Sequence, residues 1–483
     1  MASSAAKLKI LAEIPGAYRA QCAYALRCLS QIWGIGIELF YNCDQAHEAH
    51  IVYSERVKSL RSDKQMFIPF NASLYQKSTV CDCAEYQGHK IWRAKGVEAE
   101  FTDLIASSFR LLTMLDELQI PAKNRDQKGN FYTNVLPPDR RQTLAFPLVD
   151  DQATLIFKKI VETFPLFNGL AIPLWPEKKK IAVCVSHDTD ATRLGNLYEM
   201  IYLLGKVVFR RDSKYVSSLA IALKHFGKNP DKDPYWGFPG WRETESAKKI
   251  KSCFYLAAPP RKCKRHINDC RSTVFDRKTD WKLLRDMADA GWEFGLHPAI
   301  HATNEEAEFV DAKHRIEEKL QRQIFGIRHH YLAFNQYEPW KTFKQHADAG
   351  FLYDSSIGWR DAAGFRAGTS FPFPLFDYEN NRTLQLLELP MTIMDGHILE
   401  SGKEALDAAK AVLERTIEHG GMLMLNWHTQ SFTQMPLYEG YLKMFEQMLD
   451  LILYRDDVWF ATPLGVARWW SERNTKLLDQ KIS

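Results

Sequence analysis

From residue 180 onward, short apolar runs alternate with amphipathic stretches in a regular rhythm. IAVCVS, SCFYLAA, WEFGLH, FGIRHHY, GFLYDSS, LQLLELP, GMLMLNWH and VWFAT have the length and apolar content of buried strands. The stretches between them, among them WKLLRDMADAG, NEEAEFVDAKHRIEEKL and EALDAAKAVLERTIEHG, repeat apolar positions at helical spacing. Repeated strand–helix units predict a mostly parallel sheet, and this many predict a closed or nearly closed barrel. Residues 191–250 break the rhythm with a largely helical insertion that ends in the loop DKDPYWGFPGW, placed to border a substrate groove.

The first 172 residues follow another pattern. KLKILAEI, HIVYSE and MFIPF are strand-like, AYRAQCAYALRCLSQI is helical, and FTDLIASSFRLLTMLDEL and DQATLIFKKIVETF are amphipathic helices. No chemical motif stands in this part. The prolines and lysines of AIPLWPEKKK mark a linker. The expectation is a separate N-terminal α/β domain over 1–172, of unknown role, and a second domain over 177–475.

A chain of 483 residues, 46% hydrophobic, can fill two cores. Lys and Arg exceed Asp and Glu by 63 to 59, so net charge makes no general case for nucleic acid or an anionic membrane as partner, and binding has to come from local sites. The opening MASSAAKLKILAEIPG lacks the features of a secretory signal, and the longest apolar run, LYEMIYLLGKVVF, is interrupted by charge and shorter than a membrane span. Nine scattered cysteines suit a reducing compartment. A soluble, cytoplasmic protein with no stable membrane insertion is expected. Cys81 and Cys83 are too few for a structural zinc site, and Cys263, His266 and Cys270 in RKCKRHINDC, at uneven spacing, are taken as a solvated loop.

Charged residues collect at the C-terminal ends of the predicted strands, which is where chemistry is assembled in such folds. VCVSHDTDATR brings His187, Asp188 and Asp190 to the end of a core strand, and unpaired buried carboxylates are costly. GLHPAIHATN carries His297 and His301, four apart, a spacing that puts two imidazoles on one face if the backbone turns helically. Two imidazoles and a carboxylate leave an open position on a divalent cation, zinc by preference. The remaining carboxylate is then free to take a proton from water, and His428 in LMLNWHTQ is a candidate proton donor beside Trp427, whose flat face could stack on a sugar ring. Arg328 in FGIRHHY could orient a carboxylate.

These blocks, in this order over residues 180 to about 470, resemble the polysaccharide deacetylases of the NodB-homology type, carbohydrate esterase family 4. SHDTD looks like that family's first motif, which implies Asp188 as the base and Asp190 as a metal ligand. HPAIH is similar to its H-x-x-x-H motif, which implies His297 and His301 as ligands. RHHY resembles R-P-P-Y with His329 and His330 in place of both prolines, which implies that Arg328 positions the base and that the Tyr331 amide faces the oxyanion. YDSSIGW resembles the aspartate and tryptophan motif, which implies roles for Asp354 and, at the substrate, Trp359. LNWH resembles the closing motif, with His428 as general acid. The resemblance implies a distorted (β/α)7 barrel.

Three departures stand out. Gly358 occupies the place of the family's aspartate, leaving Asp354 and Asp395 as candidates to tune His428; LNWH carries one residue more than the usual spacing; and Arg366 in GFRAGTSFPF rivals Arg328. The function expected is removal of an N-acetyl or similar acyl group from an amino sugar, in a glycan or in its nucleotide- or lipid-linked precursor. Alternatives are hydrolysis of a cyclic imide or ureide, and a catalytically disabled carbohydrate-binding barrel. The basic stretch PPRKCKR could face a diphosphate, although a merely solvated loop is the simpler reading.

Overall fold

The computed structural model describes residues 7–56, 62, 64–126, 129–258, 278–299, 306–399, 403–433 and 435–479. The stretch KLKILAEI forms strand β1 (Leu8–Glu13), and the helix expected after it runs Arg19–Trp33. It ends on Gly34 at φ 71°, where a side chain would meet the Ile172 carbonyl oxygen at 2.6 Å. β2 (Ile37–Phe40), β3 (Ile51–Ser54) and β4 (Met66–Pro69) complete a four-stranded parallel sheet in the order β2-β1-β3-β4. Beside it stands an antiparallel hairpin of β5 (Cys81–Tyr86) and β6 (His89–Ala94). The apolar pattern does not single out β2 or this hairpin, whose residues are mostly half-buried.

FTDLIASSFRLLTMLDEL, expected as one helix, is broken in two. The helix covers Leu104–Leu112 and is capped by Asp103, whose Oδ1 accepts from the Ile105 and Ala106 amides at 3.1 and 2.9 Å. Met114 then takes φ 54°, and a tight 3-10 turn follows over Leu115–Gln119. The break brings Asp116 to the Arg110 Nε at 2.6 Å and the Trp92 indole N–H at 2.8 Å. Side-chain pairing overrides helical propensity here.

The second half holds a ten-stranded sheet of β7 (Ile181–Asp188), β8 (Cys253–Ala258), β9 (Glu293–Pro298), β10 (Gly326–Ile327), β11 (Tyr353–Asp354), β12 (Phe373–Asp377), β13 (Arg382–Glu388), β14 (Ile393–Met394), β15 (Met422–Asn426) and β16 (Val458–Phe460). Its order is β12-β13-β11-β10-β9-β8-β7-β15-β14, with β16 beside β7, and every pair is parallel except β12–β13. All eight residues of β7 are buried, as a strand covered on both faces requires. β13 lies beside β11, and the same run of chain reaches β15 through β14. Thr392 reinforces that junction: its Oγ1 donates to the Met424 carbonyl at 3.0 Å and accepts from the Met424 amide at 3.1 Å.

One apolar core runs through both halves, with Tyr24 and Phe109 of the first packed on Phe376 of the second at ring separations of 4.9 and 5.3 Å. Asp150 accepts from the Ser370 amide at 2.9 Å and from the Ser370 and Thr369 hydroxyls at 2.6 Å each. Among the described residues no cysteine is in a disulfide, and no helix is long and apolar enough to cross a membrane.

Candidate active site

The parallel strands end on a single cluster of polar side chains. β7 closes with Asp188, β9 contains His297, Arg328 follows β10, Asp395 follows β14, and Asn426 closes β15 two residues before His428. In a parallel sheet every strand delivers its C-terminal end to the same rim, so residues far apart in sequence converge there.

Asp188 is 3% exposed and held from two sides, by Arg328 Nη1 on Oδ1 at 3.0 Å and by Asn426 Nδ2 on Oδ2 at 2.9 Å. Burial opposes its charge, but Arg328, then His297 and His428, outweigh that and keep its carboxyl below the usual range. Arg328 is wholly buried. It also donates to the Ser186 hydroxyl and to Asn426 Oδ1 at 2.9 Å each, to the Ser355 backbone carbonyl at 3.1 Å and to the Ser355 hydroxyl at 3.0 Å, with its guanidinium 4.2 Å from the Tyr255 ring centre. The carboxylate is thus fixed in ionised form and orientation.

Asp190 sits at the centre of three imidazoles. Its Oδ1 lies 3.0 Å from His297 Nε2 and 3.4 Å from His330 Nε2, and its Oδ2 lies 3.3 Å from His428 Nε2. Burial again opposes ionisation, yet His330 and His428 pull its pKa well below the ordinary value. Asp190, His297 and His330 each offer one ligand atom, all within 4.8 Å of one another.

The donor set fits a divalent cation on one specific ground. His297 Nδ1 is 2.7 Å from the Arg328 carbonyl and its Nε2 is 3.0 Å from Asp190 Oδ1. With its N–H on Nδ1, His297 would turn the Nε2 lone pair toward the carboxylate, where a cation would satisfy both acceptors, and one carboxylate with imidazole nitrogens is a set zinc and its neighbours take.

His428 is turned into this group by Asp395. The carboxylate holds His428 Nδ1 at 2.8 Å and accepts from the His428 amide at 2.9 Å and from the Ser431 hydroxyl. Burial disfavours a proton on His428, but Asp395 and Asp190 outweigh that and raise its pKa well above the ordinary imidazole value. Of the two carboxylates considered for this role, Asp395 is the one that reaches His428. Asp354 is taken up by His346, and at Gly358 a Cβ would meet the Met391 methyl and carbonyl oxygen at 2.6 and 2.7 Å, so an aspartate there would require a shift. Asp395→Asn is expected to lower turnover by about one to two orders of magnitude while metal content stays unchanged, measured by steady-state kinetics and elemental analysis side by side.

The other sequence-predicted residues lie elsewhere. Asp354 is buried against His346, Oδ2 to Nδ1 at 2.5 Å, and His346 Nε2 continues to His329 Nε2 at 2.9 Å. Burial and the Asp354 charge push the neighbouring Glu388 carboxyl well above its ordinary value. Trp427 is fully buried with its N–H on the Tyr441 carbonyl at 2.9 Å, so it offers no open face for a sugar. Trp359 is buried between Arg140 and Arg366, with each guanidinium 5.5 and 5.3 Å from its ring centre. Tyr331 takes φ 59° and stacks on His330 at 4.2 Å between ring centres. His187 points away, to Glu245 and the Trp427 carbonyl at 2.7 Å each. His301, the basic stretch PPRKCKR and the Cys263, His266 and Cys270 group lie outside the described residues.

Arg366 forms a buried pair with Glu117 of the first half, Nη2 to Oε2 at 2.7 Å, and also donates to Gln336 Oε1 at 2.7 Å and the Gly358 carbonyl at 3.1 Å. Removing one partner leaves a buried charge unpaired, so Glu117→Ala is expected to destabilise the fold by about 3–5 kcal/mol. Chemical denaturation checks it.

Two residues of the cluster were not singled out for a role in the sequence. His330 reads as an off-motif substitution, and only its position next to Arg328 hints at the rim. Asn426 is the one polar residue of the apolar strand MLMLN, a signal that strand patterning alone could have raised.

These features define an α/β protein with an aspartate–histidine cluster at the C-terminal rim of a largely parallel sheet. No family model matches the chain, and no curated protein matches it. Among solved structures it is similar to one described as a polysaccharide deacetylase from Mycobacterium smegmatis, at 18% identity and a TM-score of 0.42 over 64% of this chain and 96% of that one. A second, described as a polysaccharide deacetylase from Pseudomonas aeruginosa PAO1, gives 14% identity and 0.40 over 62% and 93%. A Puue allantoinase gives 15% and 0.40 over 62% and 92%. At these values the similarity carries no chemistry across, and the function is assigned from the side chains of the site alone.

Proposed function

We propose that this chain is a metal-dependent hydrolase that removes an N-acetyl or similar acyl group from an amino sugar. The observation that carries this is the pairing of two differently held groups around one cation-competent centre: a carboxylate held by the donors of Arg328 and Asn426, and an imidazole held at Nδ1 by the Asp395 carboxylate. Groups whose environments set them apart in this way serve as base and acid of a single reaction.

Asp190, His297 and His330 would hold the cation, with His301 the further candidate from the sequence. A cation bound there would polarise the amide carbonyl and lower the pKa of a water. Asp188 takes a proton from the attacking water as its oxygen bonds to the carbonyl carbon. His428 Nε2 gives a proton to the amine nitrogen as the C–N bond breaks, releasing carboxylate and free amine. Arg328 holds Asp188 in line throughout, and Asp395 keeps the His428 tautomer fixed. The Tyr331 amide, set by its left-handed backbone, is the proposed donor to the oxyanion.

The finer architecture follows the same proposal. The β13–β14 run, beside β11 at one end and β15 at the other, supports reading the second half, 177–475, as a distorted (β/α)7 barrel. The N-terminal part, whose apolar core is continuous with that of the second half, is assigned the task of placing a glycan or a nucleotide- or lipid-linked precursor at the rim, inside the cell.

The test is to incubate the full chain with N-acetylglucosamine oligomers and follow acetate and free amine together. Equal release of both supports the reaction. Opening of a cyclic imide or ureide without acetate from any N-acetylated sugar would overturn it.

A further inference from the structure

The insertion between β7 and β8 contains two helices, Leu197–Arg210 and Ser213–His225, joined by a two-residue turn. Their inner faces are satisfied: Leu203 and Ala222 are fully buried with Tyr235 and Met435 in a small apolar cluster of their own. Their outer faces are also apolar. On the first helix Leu197, Ile201, Leu204 and Val208, at helical spacing, are 46–61% exposed, and Phe209 at its end is 88% exposed. On the second, Val216 and Leu223 are 52% and 62% exposed, one heptad apart, with Phe226 beyond them at 52%. Nine of the eighteen large exposed apolar side chains among the described residues fall between 197 and 226. A stripe this concentrated marks an interaction surface, whereas the rest are scattered singly.

The charge around it decides the partner. Between residues 197 and 228 stand Lys206, Arg210, Arg211, Lys214, Lys224 and Lys228, of which Lys206 lies over the Tyr202 ring and Arg210, Arg211 and Lys214 are exposed at the hairpin tip. Against them stand Glu199, which is fully buried near the Tyr235 hydroxyl, and Asp212, which caps the second helix through the Lys214 amide at 2.8 Å. The chain as a whole is nearly neutral, so this is a local excess of positive charge. Phe209 and Val208 at the hairpin tip lie in sequence directly before Arg210 and Arg211. Exposed apolar side chains with exposed lysine and arginine at the tip of the same helical hairpin suit the interface of an anionic bilayer, where the apolar groups enter the acyl boundary and the cations meet the headgroups. A protein partner of ordinary composition would not call for such an excess of cations on the hairpin.

We propose that the Leu197–His225 hairpin docks the protein on anionic membrane surfaces without crossing them. A helix of 14 residues cannot span the hydrocarbon core. The hairpin leaves β7 only a few residues after Asp188 and Asp190, and its second helix packs on the Pro436–Tyr438 turn that follows His428. Docking therefore brings the strand ends that carry these residues toward the membrane. The proposal stands independently of the reaction proposed above.

The test is co-sedimentation of the full chain with vesicles of phosphatidylcholine containing about 30% phosphatidylglycerol, against phosphatidylcholine alone. Binding to the mixed vesicles, weakened by salt, is expected. It should fall by about tenfold or more in Val208→Ser with Phe209→Ser, and similarly in Arg210→Glu with Arg211→Glu. Tyr454→Ser, at another strongly exposed aromatic, should leave it unchanged. These residues are exposed, and thermal unfolding of each variant confirms the fold. Failure to bind anionic vesicles, or binding equal in all variants, would overturn the proposal. So would a self-association, seen by sedimentation equilibrium, that the Val208 and Phe209 substitutions abolish in a chain that ignores vesicles.

Discussion

Asp188→Asn is expected to lower turnover by about two to four orders of magnitude while the protein keeps its metal. The substitution conserves volume and keeps one oxygen to accept from Arg328 Nη1, but it sets an NH2 against the Asn426 Nδ2 donor and removes the carboxylate that takes the proton from water. Parallel measurement of acetate release and of bound metal separates the two roles. If Asp188→Asn emptied the site and kept turnover of reconstituted protein, the parts assigned to Asp188 and Asp190 would have to be exchanged.

The second large effect is on the metal itself. His297→Ala is expected to reduce bound divalent metal to near background, because it removes the imidazole whose Nδ1 is held by the Arg328 carbonyl and whose Nε2 lies 3.0 Å from Asp190. His330→Ala should do the same if His330 is the third ligand, and His301→Ala serves as the comparison. Elemental analysis of purified variants, at about one ion per chain in the wild type, checks this. Unchanged metal in His297→Ala would remove the site.

The strand ends were legible in the sequence because a parallel sheet writes itself as apolar runs, and a polar residue that closes such a run has to be accommodated at the rim. Asp188, Asp190, His297, Arg328 and His428 announce themselves in that way. Contacts across the fold do not. Whether Asp354 or Asp395 reaches His428 depends on how β11 and β14 sit relative to β15, and no local pattern carries that. His330 is aimed by two consecutive left-handed residues, Tyr331 and Leu332 at φ 59° and 51°, which sequence gives no reason to expect of a tyrosine and a leucine. Arg366 has the same local look as Arg328, an arginine after apolar residues, yet one pairs with Asp188 and the other with Glu117 from the far end of the chain. The strands β2, β5 and β6 fall in stretches that are only half-buried, where periodicity is weak, whereas the break at Met114 falls in a buried stretch whose apolar residues continue past it.

The most direct measurement of the central claim is acetate release in single turnover from an N-acetylglucosamine oligomer as a function of bound metal per chain. Protein stripped by a chelator and titrated with zinc should regain acetate release in proportion to bound ion, levelling at about one per chain. Acetate released at full rate by stripped protein, or no acetate at full occupancy, would contradict a metal-dependent deacetylase.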